Sequence, residues 1–196
     1  ECDIIIDLRG ENPLFPAEKK RDGYLRRDPN DKIGIESLIL EAINLKGEFE
    51  KPVYVHFEKD KCAHSRASRS GCTRCLDICP TNAITSDGDT VVIDPYICAG
   101  CGSCSAVCPS GAASYDDPPF SFSLNRLQNL RSVYNRYEKK IEPRILFVDK
   151  EFGTEMISIT ARFGKGLPSD LIPLDLPNIE LLSHAEILAA LASGFS

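Results

Sequence analysis

The stretch that decides the fold of this chain is Cys98-Ala99-Gly100-Cys101-Gly102-Ser103-Cys104-Ser105-Ala106-Val107-Cys108-Pro109. Its cysteines have the spacing C-x2-C-x2-C-x3-C, and a proline follows the last of them. An earlier run repeats the end of this pattern at Cys72, Cys75, Cys79 and Pro80. Two runs of the same spacing indicate a structural unit that occurs twice.

The short intervals within each run are typical of a loop that ligates a cubane iron–sulfur cluster. A cubane needs thiolates at the corners of a tetrahedron, and short intervals let one coiled loop direct three sulfurs inward. The fourth ligand must come from elsewhere. Gly100 and Gly102 lie where the backbone has to approach the cluster closely, because glycine has no side chain and accepts positive φ.

The first run departs from the pattern, because Arg69 stands where a first cysteine is expected. The nearest candidate is Cys62, which nine residues, Ala63 to Gly71, separate from Cys72. We favour a loop inserted between the first and second ligands. Two other interpretations stay open, a three-iron cluster that lacks one ligand and a cluster with His64 as a nitrogen ligand of the kind that raises the potential of Rieske centres.

With its cysteines in these places, the chain resembles the bacterial two-cluster, eight-iron ferredoxins over roughly residues 51 to 115. The resemblance includes two matching segments, Cys79-Pro80-Thr81-Asn82-Ala83-Ile84 and Cys108-Pro109-Ser110-Gly111-Ala112-Ala113. It also includes a β-hairpin predicted for Ile84 to Ile93, with its turn at Asp87-Gly88. The resemblance implies a pseudo-twofold β-α-β module with a cluster at each end.

The same resemblance implies two 4Fe-4S clusters as cofactors, the first becoming 3Fe-4S if Cys62 is not a ligand. One cluster would take the ligands Cys62, Cys72, Cys75 and Cys108. The other would take Cys98, Cys101, Cys104 and Cys79. The ninth cysteine, Cys2, stands beside an apolar strand and is expected to be a buried or incidental thiol.

The loop from Cys62 to Arg66 and the segment Gly71 to Cys75 are similar to ferredoxin-type proteins associated with bacterial formate dehydrogenases. This implies an electron carrier or relay subunit, rather than a catalyst alone, whose partner is a redox protein or an enzyme complex. The alternative function is a structural or redox-sensing role, in which the clusters hold loops together and partner binding is the activity.

Other uses of the cysteines fit the spacing poorly. Zinc sites usually pair two C-x2-C units across a longer gap. A three-cysteine run that ends in C-x3-C-P does not match the ligand spacing of a tetrahedral zinc site. A disulfide framework suits a small secreted chain, whereas this one has 196 residues and no recognisable signal peptide. We therefore expect a cytoplasmic protein. Since the sequence begins at Glu1, a processed chain and a part of a larger protein both fit.

Composition and charge exclude further classes. The net charge of −6 disfavours a nucleic-acid partner, which would require a basic face. No apolar run approaches the roughly 20 residues of a membrane span, so we expect no direct membrane insertion. A basic stretch lies around the first ligand loop, and three interpretations of it stay open. Its positive charge would favour the reduced cluster, its side chains would be solvated with little effect, or it would bind an acidic patch on a redox partner. Its members are Lys59, Lys61, Arg66, Arg69 and Arg74.

The segments on either side of the cysteine runs predict alternating strands and helices. Residues 1–58 are predicted as β-loop-α-β, with a strand at Asp3 to Leu8 and a long polar loop at Arg9 to Lys32. Residues 118–196 follow as a helix and then strand-helix-strand-helix, where Ser183 and Glu186 have capping-box spacing. We predict an α+β fold, in which a ferredoxin-like dicluster module at 59–117 is inserted in or packed against one small α/β domain with a parallel or mixed sheet.

No catalytic group emerges from the remaining residues. Gly164-Lys165-Gly166 follows a predicted helix, whereas a phosphate-binding loop follows a strand and opens a helix. The three histidines are scattered, and the acidic residues have the pattern of ordinary surface charge. No cysteine follows Cys108, which excludes a separate cluster in the C-terminal segment.

Overall fold

The computed structural model describes residues 2–15, 20–64, 71–138 and 141–196. Its strands and α-helices, in chain order, are β1 (Ile5–Asp7), β2 (Tyr24–Arg26), α1 (Lys32–Asn44), β3 (Val55–Phe57), α2 (Arg74–Ile78), β4 (Ile84–Asp87), β5 (Thr90–Ile93), α3 (Ser103–Val107), β6 (Ala113–Tyr115), α4 (Phe120–Tyr137), β7 (Arg144–Asp149), α5 (Phe152–Phe163), β8 (Leu171–Leu176) and α6 (His184–Ala192). Two single-turn helices, Lys59–Lys61 and Ile179–Leu181, complete the described elements.

The chain divides into two compact units. Unit 1 comprises residues 1–54 and 63–100, and unit 2 comprises residues 55–62 and 101–196. The segment boundaries predicted from the sequence, and the α+β fold with its ferredoxin-like module, stay predictions.

Unit 1 begins with a parallel pair of short strands, β1 and β2, in which Ile5 lies opposite Tyr24. The predicted strand at Asp3 to Leu8 is confirmed with shorter bounds. Strand β2 lies within the stretch predicted as a loop, so that part of the prediction is wrong. Helix α1 follows, and Asp31 is its N-cap: the Asp31 carboxylate accepts the backbone N–H of Gly34 at 2.9 Å.

A buried carboxylate fixes the start of unit 1. The Arg9 side chain donates to Asp7 through Nε at 2.9 Å and Nη2 at 3.1 Å, and the Tyr24 hydroxyl donates at 2.6 Å. Hydrogen bonds from the Arg9 side chain, and then from Tyr24, hold the pKa of Asp7 well below its usual range. Tyr24 Oη also accepts the N–H of Leu14 at 3.1 Å. One ionised carboxylate thereby ties β1, β2 and part of the loop between them.

The second part of unit 1 carries the first cysteine run. Helix α2 ends at the last cysteine of that run, and the chain then enters the antiparallel hairpin of β4 and β5. The hairpin predicted for Ile84 to Ile93 is confirmed, and Gly88 in its turn has φ +59°. The N–H of Asp94 closes the hairpin by donating to Ala83 O at 2.8 Å.

Unit 2 pairs β3 with β6 in antiparallel register and places α3, which contains Cys104, before β6. Its larger part is a β-α-β arrangement, in which α5 connects the parallel strands β7 and β8. A hydrophobic core forms among α4, β8, α6 and the residues after α6, with Leu127, Leu174, Ala189, Ala190 and Phe195 buried. The predicted capping box of Ser183 and Glu186 at the start of α6 is confirmed.

Among the described residues, no helix is long and apolar enough to cross a bilayer.

The two leucines of helix α1 provide a test of this packing. Leu38 is fully buried, whereas Leu40 is 64% exposed in the same helix. We expect Leu38→Ala to lower the free energy of unfolding by about 2–5 kcal/mol, because the lost side chain leaves a cavity. Leu40→Ala should change it by less than about 0.5 kcal/mol. Urea unfolding followed by circular dichroism measures both, and equal effects would contradict the placement of α1.

Candidate iron–sulfur site

Each cysteine run ends on the same backbone turn. Cys79 has φ −69° and ψ 109° at the end of α2, and Cys108 has φ −71° and ψ 111° at the end of α3. These extended conformations are expected of a residue before proline, because the proline ring clashes with a helical predecessor. Proline also lacks the N–H that would continue the helix. The Cys-Pro pair therefore fixes where each helix stops and how its last cysteine is presented.

The turn continues in the same way after both prolines. Asn82 has φ +55° and Gly111 has φ +66°, each three residues beyond its cysteine. Thr81 Oγ1 lies 3.7 Å from Cys79 Sγ, and Ser110 Oγ lies 3.7 Å from Cys108 Sγ. The internal repeat predicted from the sequence is thus present in the local geometry of both turns.

The glycines of the second run are required by protein packing. Gly100 has φ +68°, and a Cβ there would lie 2.7 Å from the ring of Tyr54. Gly102 has φ +83°, and a Cβ there would collide with the side chain of Leu181. The sequence predicted positive φ correctly. The space beside each glycine, however, is filled by a side chain of the protein.

The thiols of the second run lie among hydrogen-bond donors. Burial raises the pKa of Cys108, but hydrogen bonds from the N–H of Ala113 and from Ser110 outweigh burial, so the pKa of this thiol is lowered. The Ala113 nitrogen lies 3.4 Å from Cys108 Sγ. Ser103 Oγ lies 3.3 Å from Cys101 Sγ. The donors to Cys108 favour its thiolate, which is the form that binds iron.

The long interval before Cys72 is closed at its base. The N–H of Gly71 donates to His64 O at 2.5 Å, and the N–H of Cys72 donates to Ala63 O at 3.2 Å. His64 is 5% exposed, with Nδ1 2.8 Å from Cys72 O and Nε2 2.8 Å from Ser86 Oγ. The residues that flank the interval are therefore held together within unit 1, as an excursion between two ligands would require.

The contacts of His64 disfavour it as an iron ligand. A carbonyl oxygen can only accept, so in the neutral ring Nδ1 carries the proton and donates to Cys72 O. Nε2 then accepts from the Ser86 hydroxyl. Because both ring nitrogens have partners, we infer that His64 positions Cys72 instead of binding iron.

The predicted ligands divide equally between the two units. Cys72, Cys75, Cys79 and Cys98 belong to unit 1, and Cys62, Cys101, Cys104 and Cys108 belong to unit 2. All nine cysteines are described and none forms a disulfide; Cys104 is buried, and Cys2 is exposed where a buried thiol was one expectation. Within the described ranges, no three histidine, cysteine or carboxylate side chains form a group that could hold a metal ion. The division of ligands between clusters stays a prediction.

Part of the basic stretch lies beyond the described residues. Arg66 and Arg69 fall in the interval 65–70, outside those ranges. Lys61 donates to Glu58 at 2.6 Å, and Arg74 is exposed at the start of α2. The three interpretations of this stretch stay open.

Comparison with known families bears on the same segment. Residues 68–112 match the family model of the 4Fe-4S dicluster domain. The matched residues make up less than a quarter of the 196-residue chain. No curated protein and no solved structure matched the chain. The matched span contains seven of the eight predicted ligands and leaves out Cys62. The match supports a ferredoxin-type iron–sulfur protein. The donors near Cys108 Sγ suit a thiolate ligand.

The contacts of His64 predict a stability effect that is specific to the first run. His64→Ala leaves the Cys72 carbonyl without its ring donor, so we expect the free energy of unfolding to fall by about 1–3 kcal/mol. We also expect the purified protein to retain less iron. His56→Ala is the matched control, since His56 is exposed in β3. Urea unfolding and iron quantification measure both effects, and His64→Ala behaving like the control would contradict the positioning role.

Proposed function

We propose that this chain is an electron-transfer protein with two 4Fe-4S clusters, and that it relays single electrons between a redox enzyme and another acceptor. The observation that carries the proposal is the repeated Cys-Pro turn, found after α2 and again after α3 with matching angles. A redox module with two clusters needs two such ligand loops. The family match over residues 68–112 supports the same class.

The proposed ligand sets are those implied by the resemblance. Cys62, Cys72, Cys75 and Cys108 would hold one cluster, and Cys98, Cys101, Cys104 and Cys79 would hold the other. When bound, the clusters supply reversible one-electron chemistry. The chain supplies thiolates, N–H donors such as that of Ala113, and partial exclusion of water, since Cys104 is only 7% exposed. These contacts hold the thiolate form ready for the metal.

Formate dehydrogenase is the redox enzyme that we propose as the partner, on the resemblance of the Cys62 to Cys75 segment. A cytoplasmic location belongs to the same proposal, because reducing compartments keep cysteines available as ligands. The fold that we propose remains α+β, with a ferredoxin-like module at residues 59–117 inserted in or packed against a small α/β domain. The antiparallel pairs β3–β6 and β4–β5 support it.

Metal content and redox titration test the function together. We expect about eight iron and eight sulfide per chain after anaerobic preparation, because two cubanes carry four of each. A potentiometric titration followed by EPR should show reversible reduction, with spin coupling between two reduced clusters. Clusters that bind but never reduce reversibly would contradict electron transfer and favour the structural or sensing role.

Cys62 decides whether the first cluster is complete. If it is a ligand, Cys62→Ala should lower the content by about one iron per chain and give the EPR signal of an oxidised three-iron cluster. Cys2→Ala is the matched control, because Cys2 is exposed and lies outside both runs. Iron quantification and EPR of the two variants make the comparison. An unchanged iron content in Cys62→Ala would remove this residue from the ligand set.

A further inference from the structure

The single-turn helix Ile179–Leu181 lies against the ligand loop of the second cysteine run, within unit 2. The Leu181 side chain fills the space beside Gly102, where a Cβ would collide with it. Asn178, the residue just before this helix, is 4% exposed, and its side-chain oxygen accepts the N–H of Glu180 at 3.1 Å. The backbone of Glu180 is thereby fixed next to α3. A carboxylate from the cysteine-free C-terminal segment is thus held beside a predicted iron ligand.

The Ser103 hydroxyl connects this carboxylate to the thiol. Ser103 is 7% exposed, and its Oγ donates to Glu180 Oε2. The same oxygen lies 3.3 Å from Cys101 Sγ. Ser103 therefore stands between an acidic side chain and one of the sulfurs of the second run.

A serine hydroxyl carries one proton, so it cannot donate in both directions. An ionised carboxylate and an iron-bound thiolate can each only accept, and both compete for that proton. The carboxylate oxygen is the stronger acceptor, because a hydrogen bond to an ionised oxygen is short and strong whereas sulfur accepts weakly. Ser103 therefore donates its one hydrogen bond to Glu180 and none to Cys101.

We propose that Glu180, acting through Ser103, is a positioning residue that lowers the reduction potential of the cluster to which Cys101 contributes. This proposal rests on the proposed electron-transfer function and adds to it. Reduction adds negative charge to a cluster, and a donor on a ligand sulfur would stabilise that charge. With Glu180 in place the sulfur has no donor from Ser103, and a carboxylate stands nearby. Both effects disfavour the reduced state.

The first run has a different side chain at the corresponding position. Aligning Cys101-Gly102-Ser103-Cys104 with Cys72-Thr73-Arg74-Cys75 places Arg74 opposite Ser103. Arg74 carries a positive charge and is exposed, so screening weakens its effect. Glu180 is thus one source of a difference between the two cluster environments.

The experiment is a potentiometric EPR titration of the iron-loaded full chain and its variants. We expect Glu180→Gln to raise the potential of one cluster, so that the ratio of reduced to oxidised protein at the wild-type midpoint rises about tenfold, equivalent to 59 mV for one electron. Ser103→Ala should leave the potential close to that of the wild type, because in the wild type Ser103 donates its hydrogen bond to Glu180 and not to Cys101. Glu155→Gln, at an exposed position of α5, is the control for loss of the same charge.

The double variant identifies the route. If Glu180 acts through Ser103, Glu180→Gln produces a smaller shift in the Ser103→Ala background than alone. Equal shifts in both backgrounds, no shift, or a matching shift in Glu155→Gln would overturn the proposal. A fall in potential in Ser103→Ala would also overturn it, because Ser103 would then donate to Cys101. Glu180→Asp, which keeps a carboxylate, should retain a potential close to the wild-type value.

A second readout separates this proposal from the proposed function. Resonance Raman spectra of the oxidised clusters report hydrogen bonding to ligand sulfur without any reduction. Glu180→Gln should shift an iron–cysteine stretching band, and the double variant should not. If no cluster reduces reversibly, the electron-transfer function fails, while an unchanged Raman band overturns the role of Glu180 alone. Iron content and circular dichroism confirm that each variant is folded and loaded.

Discussion

A following proline disfavours the helical conformation of the residue before it, and the end of each cysteine run depends on that constraint. Helices α2 and α3 both stop at a cysteine because Pro80 and Pro109 follow. A residue with positive φ then turns each chain, and the next two residues are buried, with Ala83 and Ala112 only 2% and 1% exposed. The last cysteine of each run is thereby fixed by backbone sterics and anchored by the small residues that follow.

Features of this local kind are the ones that the sequence predicts well. The β4–β5 hairpin and the capping box at Ser183 depend on residues within a few positions of one another. Strand β2 could not be found in the same way. It is three residues long, and Tyr24 is held by Asp7, which lies 17 positions earlier in the chain. A polar loop that gains a strand through one buried carboxylate has no periodic pattern to reveal it.

The side chains around the thiols could not be predicted from the sequence either, because their contacts join residues far apart in the chain. The sequence left His64 open as an iron ligand, yet it is buried and bonded to Cys72 and Ser86. Glu180 had the pattern of surface charge, and its contact with Ser103 joins residues 77 positions apart. A signal did exist for His64, since a histidine next to a loop closure between two ligands has nearby carbonyls to bond. For Glu180 the sequence carried no such signal.

The C-terminal segment contains no cysteine after Cys108, yet its Glu180 reaches the ligand loop of the second cysteine run through Ser103. Its strands β7 and β8 and helix α6 form a core around Leu174 and Ala190, and this core carries the turn at Ile179–Leu181. Cluster potentials depend on charge and hydrogen bonds around the sulfurs as well as on the ligands. A segment that holds one carboxylate beside one ligand loop can therefore make two similar cysteine loops electronically different. The two Cys-Pro turns have matching geometry, and Glu180 from the non-repeated segment makes the surroundings of the second cysteine run different.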